Sequence, residues 1–212
     1  MHKTYIISLI TSGHGDHQIS AQMMLPRTVN FCNQYNWNAE IFHAINGYNL
    51  QKSDWEIHGL TPPGTSNRGK EKFGDLPGAQ GCFFSHYLLW NRCIELDHPI
   101  FILEDDADVI GPMPIMINST IDLVKLHAPR RPNKKLGIYG ITAPGAFAYW
   151  VSPTGAKKLV NFSKINGPGL TDKLIGSFVL NWNYLDTPVV QLGPRCGSST
   201  QPNKYPYRNL YE

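Results

Sequence analysis

Four carboxylates fall within five consecutive positions of this 212-residue chain: Glu104, Asp105, Asp106 and Asp108. Acids so close together repel one another unless a cation or hydrogen-bond donors neutralise them. Hard divalent cations such as Mg²⁺ and Mn²⁺ prefer carboxylate oxygens, take one or two of them, and keep other positions for substrate phosphates. The plain alternative is a solvated turn whose acids face water. A third reading takes the apolar strand followed by Asp106-Ala107-Asp108-Val109 as a metal-dependent phosphatase pattern, with Asp106 as nucleophile. That reading needs a later pair of acids, and beyond position 108 only Asp122, Asp172, Asp186 and Glu212 remain, none of them adjacent.

The segment that must position the acids is Ile100-Phe101-Ile102-Leu103, a continuous apolar run of the kind found in a central strand covered on both faces. Ligands of open α/β sheets gather at the carboxyl ends of such strands. Upstream, Thr4 to Ile10 reads as a buried first strand, 18–34 as a helix and Asn38 to His43 as a second strand before an Asn46-Gly47 turn. The stretch 48–77, with Thr61-Pro62-Pro63-Gly64-Thr65, reads as a long loop of the lid or binding type. From Gly78 to Leu96 the residues Phe83, Phe84, Tyr87, Leu88, Trp90 and Ile94 recur at helical spacing. Further on, the pattern predicts a helix near 115–127, strands near 136–141 and 146–152, a helix capped by Ser152-Pro153, and a helix over 171–180. Strands alternating with helices predict an α/β fold with a mixed, mostly parallel central sheet and helices on both faces. One domain over 1–200 is expected, with 201–212 as a tail or the start of a linker.

Composition narrows the partners. A net charge of +3 with scattered Lys and Arg argues against nucleic acid, and 42% hydrophobic with 17% charged residues is ordinary for a soluble globular protein. No stretch approaches the ~20 apolar residues of a membrane span, and the N-terminus lacks the apolar core of a signal peptide. Cysteines 32, 82, 93 and 196 have no CxxC spacing and read as reduced, buried thiols, so a cytoplasmic location is expected. The sequons at Asn118 and Asn161 are then coincidental.

Several segments, in order, carry a family likeness. They are Tyr5-Ile6-Ile7-Ser8-Leu9; Phe42-His43-Ala44-Ile45-Asn46-Gly47; Gly81-Cys82-Phe83-Phe84-Ser85-His86 with Trp90; Phe101-Ile102-Leu103-Glu104-Asp105-Asp106; Gly145 to Ser152 with Gly155 to Leu159; and Asp172 after a Pro-Gly loop. Together they resemble glycosyltransferase family 25, the lipooligosaccharide and procollagen galactosyltransferase-like enzymes. The resemblance implies a GT-A-like, Rossmann-like fold, a nucleotide-sugar donor (commonly a UDP-sugar), a glycan or glycoprotein acceptor, Mn²⁺ or Mg²⁺ at the acidic motif, and inversion at the anomeric carbon. Two departures stand out. The family's arginine soon after the first strand is replaced by Gly13-His14-Gly15-Asp16-His17. The added Ala107-Asp108 leaves open which triplet works, Glu104 to Asp106 or Asp106 to Asp108, and Asp106 belongs to both. The short chain is consistent with a module of a longer enzyme, bacterial or from a large DNA virus that glycosylates its own capsid, in which case the location is the host cytoplasm.

On this reading Asp106 and Asp108 hold the metal, with Glu104 able to assist, and Asp172 is the base that takes the acceptor proton; a helix N-terminal acid is the structural alternative for Asp172. Donor contacts are expected from Ser8, Leu9, Thr11, Asn46, Gln80, Ser85, His86, Glu104 and Asp105. Arg195, with Ser198, Ser199 and Thr200, would fold over the diphosphate. For His86 a buried structural hydrogen bond is the equal alternative, and Tyr149 and Trp150 read as core. Arg68 and Lys70 read as solvated loop charges able to close as a lid. A nucleotide-sugar-binding module without catalysis is the remaining alternative.

Overall fold

The computed structural model describes residues 3–12, 16–64, 72–115, 120–128, 145–177 and 179–193. Within them the strands are β1 (Lys3–Ser8), β2 (Ala39–His43), β3 (Ile100–Glu104), β4 (Ala107–Val109), β5 (Leu123–Lys125), β6 (Ala148–Val151), β7 (Trp182–Tyr184) and β8 (Val190–Leu192). The α-helices are α1 (Asp16–Gln34), α2 (Lys52–Ile57), α3 (Pro77–Leu96), α4 (Pro153–Asn166) and α5 (Thr171–Leu174). Six strands form one sheet in the order β2-β1-β3-β6-β5-β7, and β4 with β8 form a small second sheet. The β1/β2, β1/β3 and β5/β7 junctions are parallel, and β6 runs antiparallel to both of its neighbours.

The alternation of side chains along a strand divides the core in two. Tyr5 and Ile7 of β1, Ile100 and Ile102 of β3, and Tyr149 and Val151 of β6 pack with Phe83 and Tyr87 of α3 and Leu159 and Val160 of α4. Their neighbours Ile6, Phe101, Leu103, Ala148 and Trp150 face the other way, onto Leu25 and Cys32 of α1. Helices therefore cover both faces of a mixed, mostly parallel sheet, the expected α/β arrangement. The run Ile100 to Leu103 is fully buried, as a strand covered on both sides must be. Ser152 caps α4 by accepting from the Gly155 amide at 3.0 Å, with Pro153 in the first turn.

Three expectations are corrected. Residues 123–125, read as part of a helix over 115–127, form β5, which is paired on one side with β6 and on the other with β7. Two flanking strands supply every backbone partner there, which outweighs local preference. The helix expected over 171–180 ends at Leu174, and the chain then enters β7. The loop 48–77 contains α2, whose Trp55 is buried 6.0 Å from the Phe83 ring and 5.0 Å from the Phe84 ring. The strand expected near 136–141, Arg68, Lys70 and the tail 201–212 lie outside the described residues. Among the described residues no helix is long and apolar enough to cross a membrane.

Candidate active site

The acidic run sits where β3 ends. Glu104 is its last residue, Asp105 and Asp106 form the turn, and Asp108 lies in β4. Backbone contacts clamp the turn from two sides: Thr28 Oγ1 of α1 donates to the Asp105 carbonyl at 2.6 Å, and the Gly193 amide after β8 donates to the Asp106 carbonyl at 2.7 Å. Local sequence does not foreshadow β4 or β8, which are three residues each and exist only as a pair.

Asp108 is separated from the other acids by its partner. Arg27 Nε donates to Oδ1 at 2.8 Å and its terminal nitrogen to Oδ2 at 2.6 Å, so both carboxylate oxygens of this buried side chain are engaged. The pair ties α1 to β4. Because Asp108 is 2% exposed and Arg27 40%, removing the arginine leaves a desolvated carboxylate that water only partly reaches. Arg27→Met is expected to lower the unfolding free energy by about 2–3 kcal/mol, with Arg27→Met/Asp108→Leu recovering most of it. Urea denaturation measures both, and an unchanged midpoint for the single variant would mean that the pair contributes nothing.

Glu104 faces α3. Its Oε1 lies 3.3 Å from His86 Nε2 and 3.9 Å from Cys82 Sγ, and its side chain is 30% exposed. Cys82 and His86 are one helical turn apart and so share a face. Cys82 Sγ also lies 3.6 Å from the hydroxyl of Thr171, the residue before Asp172. Burial pushes the Cys82 thiol well above its ordinary range, and the charges of Glu104, Asp172 and Asp106 add to this. Burial likewise raises the Asp172 carboxyl; the Lys125 cation opposes the rise and Glu104 reinforces it. Through Thr171 the start of α5, which carries Asp172, packs against the face of α3 that meets Glu104. Asp105 is pushed up to about 6 by burial, with the Ser8 hydroxyl opposing and Glu104 adding.

Lys125 was not foreseen. It ends β5, is fully buried, and its Nζ lies 5.1 Å from the centre of the Trp182 ring. Burial lowers its pKa to about 8 against the opposing pull of Asp172. The available signal was a charged residue within Leu123-Val124-Lys125-Leu126, hidden because that stretch reads as helix.

Most expected donor residues are used in scaffolding. Ser85 Oγ donates to the Gly81 carbonyl at 2.7 Å and accepts from the Ile45 amide at 2.9 Å, bonding α3 to the loop after β2. Gln80 Nε2 donates to the carbonyls of Gly74 and Phe73 at 2.8 and 3.2 Å. Asn46 donates to the Ser12 carbonyl at 2.7 Å and accepts from the Tyr48 amide at 3.0 Å, holding together the loops after β1 and β2. Ser8 is buried at the end of β1, Leu9 packs against the core, and Thr11 is exposed with its hydroxyl 3.0 Å from His43 Nδ1. His86 is fully buried, its Nδ1 2.7 Å from the Tyr149 hydroxyl, and that hydroxyl accepts from Trp90 Nε1 at 2.9 Å. Tyr149 and Trp150 are core, as expected. Arg195, Ser198, Ser199 and Thr200 lie outside the described residues.

Residues 1–122, from β1 through the acidic turn, match glycosyltransferase family 25, described as an LPS biosynthesis protein family. This chain belongs to glycosyltransferase family 25. The family 25 chain is similar to a solved glycosyltransferase involved in glycosylation of the major capsid of PBCV-1, at 11% identity and TM-score 0.41, over 77% of this chain and 66% of that one. It is also similar to a Drosophila beta-1,4-galactosyltransferase 7 mutant in complex with manganese, UDP-Gal and xylobiose, at 10% identity and TM-score 0.36, over 75% of this chain and 52% of that one. The family 25 chain therefore spans about two thirds of the first structure and about half of the second. No curated protein matches it. Asp172 and Lys125 lie beyond the matched residues.

Proposed function

We propose that this chain transfers a sugar from a nucleotide-diphosphate donor, a UDP-sugar, to a hydroxyl of a glycan or glycoprotein acceptor, with inversion, within a catalytic module spanning residues 1–200. The observation that carries the reading is the placement of Glu104, Asp105 and Asp106 at the carboxyl end of the central strand, with Cys82 Sγ 3.9 Å from Glu104 Oε1 and 3.6 Å from the hydroxyl of Thr171, the neighbour of Asp172. Carboxylate oxygens are the donors a hard divalent cation takes, so the chemistry of Asp106 and Glu104 fits Mn²⁺ or Mg²⁺. Asp106, assisted by Glu104, would hold it; Asp108, with both oxygens on Arg27, is the weaker candidate. Such a cation, when bound, neutralises charge on the departing diphosphate.

The chain's own groups do the rest. Asp172 accepts the acceptor's proton as its oxygen attacks, and a carboxyl raised by burial is a stronger base than an exposed one. The Lys125 cation opposes that rise. Ser8, Leu9, Thr11 and Asn46 shape the loop edge beside the turn on which the nucleotide would rest, while Gln80, Ser85 and His86 hold that edge to α3. Arg195 is proposed to close over the diphosphate. The phosphatase pattern is less well supported, since Asp108, which would have to handle the proton, is held by Arg27.

Lys125 makes the site sensitive to pH. Lys125→Met removes the cation that lowers the Asp172 pKa, so the acidic limb of the kcat/KM profile is expected to move to higher pH; an unmoved limb separates Lys125 from the base. The wild type carries a second signature. The folded Lys125 releases its proton near pH 8, whereas the unfolded chain holds it up to the ordinary 10.5. Unfolding free energy therefore gains a component that rises with pH across that window, and Lys125→Met abolishes it.

Thermal shift against UDP-, GDP- and CDP-sugars, with and without Mn²⁺, tests the donor and the metal. A ligand at 100 times its dissociation constant adds about 2.7 kcal/mol of stability. Stabilisation by UDP-sugar that depends on Mn²⁺ supports the reading, and no response to any nucleotide overturns it. The anomeric configuration of the product, read by NMR, decides between inversion and retention.

A further inference from the structure

We propose that Cys82, His86 and Glu104 form a three-ligand site for a borderline-soft cation of the zinc class, sharing only Glu104 with the oxygen donors proposed for Mn²⁺ or Mg²⁺. One ligand atom from each lies within 4.8 Å of the other two. Spacing within the triad carries the argument. Zinc bonds of about 2.0 Å to nitrogen and oxygen and about 2.3 Å to sulfur, at tetrahedral angles, place N and O about 3.3 Å apart and S and O about 3.5 Å apart. The separations here are 3.3 Å for His86 Nε2 to Glu104 Oε1 and 3.9 Å for Cys82 Sγ to Glu104 Oε1. The third pair, Cys82 Sγ and His86 Nε2, lies within 4.8 Å, so a cation entering this triad draws Cys82 inward.

The surroundings supply what such a ligand set requires. Cys82 and His86 come from successive turns of one rigid helix, α3, and Glu104 from the end of the central strand, so the three are pre-positioned by core elements and not by loops. The Tyr149 hydroxyl sits 2.7 Å from His86 Nδ1, and a cation at Nε2 would select the tautomer in which Nδ1 donates to that hydroxyl. A partner of this kind on the far ring nitrogen is the usual companion of a ligating histidine. Tyr149 is itself held by Trp90 Nε1 at 2.9 Å. Entry is through Glu104, whose side chain is 30% exposed. A mixed sulfur, nitrogen and oxygen set selects zinc, or cobalt as its spectroscopic substitute, over Mg²⁺ and Mn²⁺. Binding releases the thiol proton to solvent and leaves a thiolate on the metal, with no change of oxidation state. The fourth tetrahedral position stays open, the arrangement found where a metal meets an exchangeable ligand.

Glu104 also belongs to the cation set of the transfer reaction under the reading proposed above. Zinc at the triad would take that carboxylate away, so micromolar zinc is expected to inhibit Mn²⁺-dependent transfer. The test of the site itself does not use turnover. Chelator-stripped full-length chain is titrated with Co²⁺ and with Zn²⁺ against a chromophoric chelator, for the wild type, Cys82→Ser and Tyr149→Phe, with melting curves confirming that each is folded. The expected result is one equivalent bound with a thiolate-to-cobalt charge-transfer band, loss of that band in Cys82→Ser, and zinc affinity about 10–100-fold weaker in Tyr149→Phe. If Cys82→Ser does not fold, Glu104→Ala carries the same test. Absence of the band in the wild type, or its persistence unchanged in the variant lacking the ligand, overturns the proposal. Failure of every nucleotide sugar to bind would leave this result untouched.

Discussion

Asp172→Asn is expected to slow sugar transfer by about 10²–10⁴-fold, the range contributed by a positioned general base, while nucleotide-sugar binding stays near wild type. The size follows from the environment. The carboxyl of Asp172 is raised by burial, with the Lys125 cation opposing the rise, and it shares the neighbourhood of Cys82 with Glu104 and Asp106. The amide is nearly isosteric, so the loss belongs to proton transfer and not to packing, and a split between kcat and the donor dissociation constant reads it directly. Turnover within a few-fold of wild type would remove Asp172 from the chemistry and return it to the role of a helix N-terminal acid.

Gly81→Ala is expected to destabilise the fold by about 3 kcal/mol or more, at or beyond the upper end of ordinary overpacking. A β-carbon at that position would stand 2.4 Å from the Ile45 carbonyl oxygen and 2.7 Å from the Gly47 amide nitrogen. Both are backbone atoms, so no side chain can rotate out of the way. The converse substitution meets the same obstacle, since a β-carbon on Gly47 would lie 1.7 Å from the Pro77 carbonyl oxygen. Two facing glycines let α3 press directly on the loop after β2, and Ser85 then bonds to the Ile45 amide across that contact. This contact sets the height of α3 against the sheet, and with it the reach of Cys82 and His86 to Glu104. Chemical denaturation measures the loss; a variant with wild-type stability would show that the loop can move away freely.

Much of this was readable along the chain. The apolar run Ile100 to Leu103 ending in Glu104 announced both a central strand and the acidic turn at its end, because a strand covered on two faces has no polar position until it leaves the core. The helical spacing of Phe83, Phe84, Tyr87 and Trp90 announced α3 for the same reason, and Ser152-Pro153 announced α4 because capping is chemistry between near neighbours. The ordered motifs from Tyr5 to Asp106 were enough to indicate the family.

What could not be read were relations between distant segments. Arg27 engaging Asp108 joins α1 to β4, and no local pattern shows which acid of a cluster meets an arginine. Strands β4, β5, β7 and β8 have three residues each, too few to display a period, and they exist because partners supply their backbone bonds. Lys125 reads as an ordinary surface charge until β5 is placed between β6 and β7 and the residue is buried near Asp172. Local chemistry along the chain settled where the carboxylates are and which strand presents them. Their division of labour was decided by folding, because ion pairing, burial and metal-ligand spacing depend on distances between residues that only packing brings together.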